Sequence, residues 1–589
     1  MLSLPLYAAN NKLALLVGIS EYHVKPLSGP LNDVNAVKSA LTKHWDFKEK
    51  NIEILLNKRA TKDNIIKSIK NLYTISKPGD LVFIYLSGHG TSASDKDLST
   101  PLPTTTGAFI PVDVKDLKNI SELVNKLVIG RKDLRPLLKK FDDNNRNVFV
   151  AIDACYSGNT VRGSFAKEKL PTRFLRASDL LPNRGFGDDV SEMKTSDWKK
   201  AEITTSNSYP YSNVYYLSAS GEHEPAQDIP ENMLDRFPTI DNKPHGAFTD
   251  SLLRVLNKEL HSDVNNDGNI SYAELKKTIR DTMRTRGFNH TPQGLPSLAE
   301  DKHNLSNRAI FKKELRKNDK KPLIQASINK PTQQTTSTLQ SLASPKPESK
   351  PSLNTISSPI ASIPQINATH LLVKLDKGLD FFKREIDALK NIDIVKENED
   401  IFITKIDKKI AFLSATGDLI NTLIDIDRPE MMAILTRHAW LKQNLTNKSF
   451  DDFLLELELH NQGSGGTVIE GQIIGFSLRS SAPAFLLLID VDPNGEISVI
   501  YPYFKSEVKK FAGSQPILFK NLTRVRAPFG RDTVQAYAFD KITTEYENLI
   551  GKSFKPGDPL MKKFEKLIHN PGLQKARSNL EVITAPSYQ

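Results

Sequence analysis

Residues 12 to about 310 predict an α/β fold, a mainly parallel sheet with helices on both faces, and residues beyond 367 predict a separate α+β region with a β-rich end. Three observations carry this. In the first half, short runs that are apolar throughout alternate with segments of helical period, the pattern of parallel strands buried on both faces. A Ser/Thr/Pro/Lys-rich stretch then breaks the pattern. Beyond it the apolar runs alternate with polar residues and are separated by Gly, Pro and Asp turns. At 589 residues the chain is also too long for a single core.

The elements follow in order. KLALLVGI reads as a strand, and LNDVNAVKSALTKHW as a helix, with Val34, Val37, Leu41 and Trp45 on one face behind a cap at Asn32 or Asp33. IEILL, a helix opening on Thr61 (TKDNIIKSIKNLYTI), and the strands LVFIYL and NVFVAIDA come next. Residues 317–366 hold too few large apolar side chains to order themselves and read as a flexible linker, so the first domain spans 1–316 and the second 367–589. The second region offers the helices FFKREIDALKNI and PEMMAILTRHAWLKQNL and the strands IFITKI and KKIAFLSA. FLLELELH, GQIIGFSLRS, AFLLLIDV, EISVIYPYF and DTVQAYAF follow, with a β-rich domain at about 467–540. IDVDPNGE between two of these strands reads as a hairpin turn.

The formal charge is +11, but Lys and Arg are scattered and no nucleic-acid-binding signature appears, so a solvated basic surface is expected rather than a nucleic-acid partner. The apolar run near the amino terminus is too short for a membrane span and poorly flanked for a signal peptide. One cysteine excludes an internal disulfide framework and fits a reducing, cytoplasmic setting.

That cysteine, Cys155, closes the strand VFVAIDACYSG, and His89 closes DLVFIYLSGHG in the same way. Chemistry in an open parallel sheet collects at the carboxyl ends of strands. If the two strands are neighbours, the imidazole can take the thiol proton and make a usable nucleophile. Gly88, Gly90 and Gly158 would let a substrate backbone approach, and the Gly90 and Cys155 amides could point into one oxyanion site.

These residues resemble the caspase-like cysteine peptidases, in the bacterial metacaspase-like (orthocaspase) branch, over residues 11 to 310. LALLVGISEY, LSGPLNDVNAV, YLSGHG, AFIPVD, DACYSG, YYLSAS with EPAQD, and HGAFTDSLLRVL carry the resemblance. It implies the caspase α/β sandwich, His89 as general base and Cys155 as the nucleophile of an acyl-enzyme. Asp153 stands where animal caspases carry glutamine, which removes support for aspartate specificity. Asp153 shares a strand face with Cys155, and Asp33 should lie near the top of the sheet, so two carboxylates would favour a cationic P1 side chain. In metacaspases the matching aspartates line the pocket for arginine or lysine, which implies peptide substrates cut after Arg or Lys. The Arg- and Lys-rich segment after the cysteine, with Arg162, Arg173, Arg176 and Arg184, would then either offer bonds for self-processing or form a plain regulatory loop, and YYLSAS at 215–220 an edge for an extended substrate.

DVNNDGNISYAEL at 263–275 fits the calcium-loop pattern, with Asp263, Asn265, Asp267, Asn269, Ser271 and Glu274 as ligands of Ca2+ and Gly268 at the sharp turn. His223, His245 and His290 lack metal-ligand spacing and read as surface or packing residues. Residues 467–540 resemble an uncharacterised β-rich domain fused behind bacterial caspase-like peptidases, which implies a sensor for a small-molecule or protein activator and suits a cell-death or antiphage role. The rival readings are a catalytically silent signalling scaffold and a calcium-responsive binding protein.

Overall fold

Odd and even residues of the first strand, β1 (Lys12–Gly18), part to opposite sides of a sheet. Leu13, Leu15 and Val17 join one core with Ile65, Ile69 and Leu72 of α2 (Lys62–Ile75), Leu123 of α3 (Ile120–Lys126) and Leu138 and Phe141 of α4 (Arg135–Asp143). Ala14 and Leu16 join another with Val34, Val37 and Leu41 of α1 (Pro30–His44), Phe248 and Leu252 of α5 (Ala247–Leu256) and Leu275 and Ile279 of α6 (Tyr272–Thr285). A sheet with an apolar core on each face is the arrangement continuous apolar strands demand. The computed structural model describes residues 11–92, 107–117, 119–155, 170–181, 209–220, 226–260, 262–288, 290–312, 370–406, 409–415, 419–423, 427–446, 450, 452–460 and 467–585.

The sheet has six strands. With β2 (Ile52–Leu56), β3 (Leu81–Ser87), β4 (Asn147–Asp153), β5 (Val214–Ser218) and β6 (Gln293–Leu295), the order is β6-β5-β4-β3-β1-β2. All pairings are parallel except that of β6 with β5. β3 and β4 are neighbours, in a register that sets Ser87 opposite Asp153. Thr61 caps α2 as expected, accepting from the Asn64 amide. The first helix begins earlier than a cap at Asn32 or Asp33 would allow: Gly29 is its N-cap and Pro30 its first residue, where a missing N–H costs nothing. Asp33 therefore sits inside the first turn.

The carboxyl-terminal region is α+β. A five-stranded sheet includes Leu371–Leu375, Ile401–Ile406 and Lys409–Ser414, and Arg428–Thr446 covers it through Met431, Ile434 and Leu435. Beyond it a three-stranded sheet (Leu455–His460, Ile473–Ser480, Ile517–Arg524) faces a six-stranded one across a shared apolar core. The β-rich part extends past residue 540, because Lys575–Ala585 pairs along the whole length of Arg531–Phe539. IDVDPNGE is a hairpin turn, with Asp492 accepting from the Asn494 and Glu496 amides.

This region packs against α6. Lys276 pairs with Glu458 at 3.0 Å, Arg284 with Glu581 at 2.7 Å, and Arg280 donates to the Leu457 carbonyl and the Ser578 hydroxyl. Nearby, buried Arg479 joins Glu456 (2.6 Å) to Asp301 (3.0 Å).

Candidate active site

The parallel register of β3 and β4 carries past their ends: two residues beyond the Ser87–Asp153 pair lie His89 and Cys155. Both are fully buried. The close approach is visible at Gly90, where any Cβ would overlap the Cys155 carbonyl, so only glycine fits. His89 Nε2 lies 2.7 Å from the Lys25 carbonyl. A carbonyl can only accept, so Nε2 carries the proton and Nδ1 the lone pair. Among the described residues Nδ1 has no hydrogen-bond partner. Burial, with a smaller contribution from Arg173, pushes the imidazole down to about 4, so it is neutral at pH 7 and able to take a proton. Tyr22 fixes the ring, its hydroxyl accepting from the His89 amide at 2.9 Å and its own ring centroid 4.7 Å away.

Asp33 and Asp153 meet in one pocket beside this pair. Parity explains Asp153: Phe149 and Ala151 precede it on the face of β4 that looks toward α1 and α5. Its Oδ2 accepts from the amide and hydroxyl of Thr249 (3.1 and 2.5 Å) in the first turn of α5. Burial pushes Asp153 up to about 6, with Arg173 pulling it down and Asp33 pushing it up again. Burial would raise Asp33 as well, yet Arg173 and His245 together hold it below the ordinary carboxylate range.

The pocket has an occupant from the chain itself. Arg173, fully buried, donates from Nη2 to Asp33 Oδ2 (2.8 Å) and Asp228 Oδ1 (2.6 Å), from Nη1 to Ser87 Oγ (2.8 Å), and from Nε to Asp228 Oδ1 (3.2 Å); Nη1 also lies 3.0 Å from Asp153 Oδ2. Its carbonyl oxygen accepts from the amides of Gly90 (2.9 Å) and Cys155 (3.1 Å), the two groups expected to form an oxyanion site. On either side the backbone is held: Arg173 N donates to the Ala226 carbonyl, Asp228 N to the Pro171 carbonyl, and Leu175 N to the Gly90 carbonyl. Residues 171–175 thus run through the site extended, as a bound peptide does.

Sequence reasoning missed three parts of this pocket. Asp228 supplies a third carboxylate, its Oδ2 held by the Ser28 and Gly29 amides (2.9 and 3.2 Å). Ser87 bridges Arg173 and Asp33. His245, expected at the surface or in plain packing, is fully buried between Asp33 (2.8 Å) and Asp241 (2.9 Å). Burial works against its charge, but the two carboxylates raise its pKa above the ordinary histidine value. His290 is a packing residue, near the Ala219 carbonyl. The expected substrate edge also moves. β5 lies between β4 and β6, so both its sides are taken, and residues 171–173 pair with 226–228 instead. Arg176 is described; Gly158, Arg162, Arg184 and His223 lie outside the described residues.

The 263–274 loop leads into α6, with Gly268 at φ +81°. Glu274 turns its oxygens onto the Val264 amide and the Ser271 amide and hydroxyl, closing a capping box. Asp263 accepts from the Asp267 and Gly268 amides, and Asp267 from the Asn269 amide. Among the described residues no group of three or more His, Cys, Asp or Glu side chains converges as a metal centre would.

Comparison with known proteins fits this geometry. The caspase domain family model matches residues 11–306, half of the chain. Metacaspase-9 of Arabidopsis thaliana is 24% identical over 334 residues, 48% of this chain and 92% of that protein. Metacaspase-2 of the same plant is 27% identical over 265 residues, 42% of this chain and 56% of that protein. Metacaspase-6 is 36% identical over 165 residues, 27% of this chain and 41% of its own length. The chain therefore spans little more than half of metacaspase-2 and less than half of metacaspase-6. With a caspase-domain match over half its length, metacaspase relatives and the parallel sheet flanked by helices, this chain belongs to the caspase family as a metacaspase-like member.

Proposed function

We propose that the protein is a cysteine endopeptidase that cuts after arginine or lysine, and that its first substrate is its own Arg173–Phe174 bond. The observation that carries this is the seating of Arg173: guanidinium among three carboxylates, carbonyl oxygen on the Gly90 and Cys155 amides. In the reaction, His89 Nδ1 takes the Cys155 thiol proton and the sulfur attacks the Arg173 carbonyl carbon. The negative charge that develops on the carbonyl oxygen falls on the two amides already aimed at it. The C–N bond to Phe174 breaks, the imidazolium gives its proton to the leaving amine, and water then hydrolyses the thioester.

The carboxyl-terminal region serves in this reading as the regulator, docked on α6, which begins at the 263–274 loop. Calcium at that loop and an activator on the carboxyl-terminal region would then act on one element. A regulated peptidase of this kind suits a role in bacterial cell death or defence against phage.

Incubating the full chain and its Cys155→Ala variant, with calcium and with chelator, tests the reading. A new amino terminus at Phe174 in the wild type alone, together with turnover of fluorogenic peptides carrying Arg or Lys but not Asp at P1, is the expected result. No cleavage in any arm, with the carboxyl-terminal region present or removed, would favour the silent scaffold instead.

A further inference from the structure

We infer that the pocket is built for arginine against lysine, and that Asp228 makes the distinction; this rests on the peptidase reading above. The guanidinium of Arg173 offers five N–H donors in a fixed planar fork, and acceptors stand around all of them. Ser87 Oγ and Asp153 receive Nη1, Asp33 and Asp228 receive Nη2, and Asp228 Oδ1 alone receives Nε.

A lysine in the same extended backbone cannot reproduce this. Its ammonium falls where arginine has Cζ, short of the Nη positions by about one C–N bond, roughly 1.3 Å. Three donors would then face three buried carboxylates and a hydroxyl from too far away. At the Nε position lysine carries a methylene, so the Asp228 oxygen would meet carbon where it now meets an N–H at 3.2 Å. Asp228 cannot swing to follow the ammonium, because its other oxygen is tied to the Ser28 and Gly29 amides. A buried polar group left without its partner is what gives a site large discrimination against an analogue lacking one donor.

Asp33 and Asp153 receive only the terminal nitrogens, whose charge a lysine partly supplies. Among the described residues, Asp228 is the one carboxylate that reads the secondary nitrogen, present in arginine and absent from lysine. It is thus a specificity-determining residue rather than a third general attractor for cations.

The experiment uses the full chain in two formats. First, kcat/KM is measured for matched peptides with P1 Arg or Lys on the wild type and on Asp228→Asn, with Cys155→Ala as blank. The wild type should favour Arg by about a hundredfold or more. In Asp228→Asn that ratio should collapse to within about tenfold, through loss of the Arg substrate rather than gain of Lys. Second, the rate of self-cleavage at residue 173 is compared between wild type and Arg173→Lys, which leaves Asp228 untouched and should slow by a similar factor. Wild-type turnover of Lys within about threefold of Arg would overturn the inference while leaving the peptidase standing. An unchanged Arg/Lys ratio in folded Asp228→Asn would overturn the role of Asp228. Absence of Cys155-dependent cleavage of either substrate would overturn the peptidase reading, and this inference with it.

Discussion

At the scale of single residues, the pocket depends on close approach and on charge. Gly246 lies where any Cβ would overlap Asp153 Oδ2 and stand 2.6 Å from the Arg173 guanidinium carbon. Gly246→Ala should therefore lower kcat/KM for a P1-Arg peptide at least about tenfold and lower the melting temperature as well, since the added methyl overlaps a buried carboxylate held by Thr249 and crowds the guanidinium beside it. His245 holds one oxygen of Asp33 and leaves the other for the guanidinium. His245→Ala should cost roughly tenfold to a hundredfold in kcat/KM, the worth of one charge-assisted hydrogen bond. A peptide uncharged at P1 should feel the change far less. The pH profile has a definite sign. A carboxylate attracts a cation only when ionised, and Asp153 is pushed up to about 6 even with Arg173 pulling it down, so kcat/KM for P1 Arg should climb as pH rises through a value no lower than that one. Asp153→Asn should flatten that limb, and an unchanged limb would assign it to another group.

At the scale of elements, the strands and helices of the sheet domain were legible because apolar residues recur with period 2 or 3.6 and because Thr61 announces a helix start. His89, Cys155, Asp33 and Asp153 could be named from strand ends and motifs. Asp228 and His245 could not, since an isolated Asp or His carries no local sign of the partner more than 50 residues away that gives it a role. Nor could the pairing of 171–173 with 226–228, because nothing local marks β6 as the strand that covers β5. Docking on α6 was equally hidden: nothing local to Lys276, Arg280 and Arg284 marks their partners, which lie in the other half of the chain. That contact can be tested through Arg479. Replacing it by Met strands Asp301 without its cation and leaves Glu456 only Lys276, 3.5 Å away, a loss of about 3 kcal/mol in stability to denaturant. Burial opposes the Asp301 charge, but the Ser306 and Leu305 amides and Arg479 lower its pKa overall. Its contribution is thus complete at neutral pH and lost only as pH falls through its depressed folded value, below the usual ~3.9.

At the scale of the whole molecule, a cut after Arg173 divides the sheet rather than detaching a tail. β5 and β6 follow the cut in sequence, yet β5 is hydrogen-bonded to β4, which precedes it. Leu175, Leu180 and Leu181 lie in the same apolar core as β1 and β3. The two pieces should elute together in size-exclusion chromatography and part only in denaturant; separate elution of folded fragments would contradict this topology. The seating of Arg173 also fixes how activation should scale. If the Arg173–Phe174 bond is the one cut, it already lies in the site beside Cys155 and needs no encounter, so its cleavage is first-order, with a half-time that dilution leaves unchanged. The protein would keep time by an internal clock, and crowding many copies together would not make it run faster.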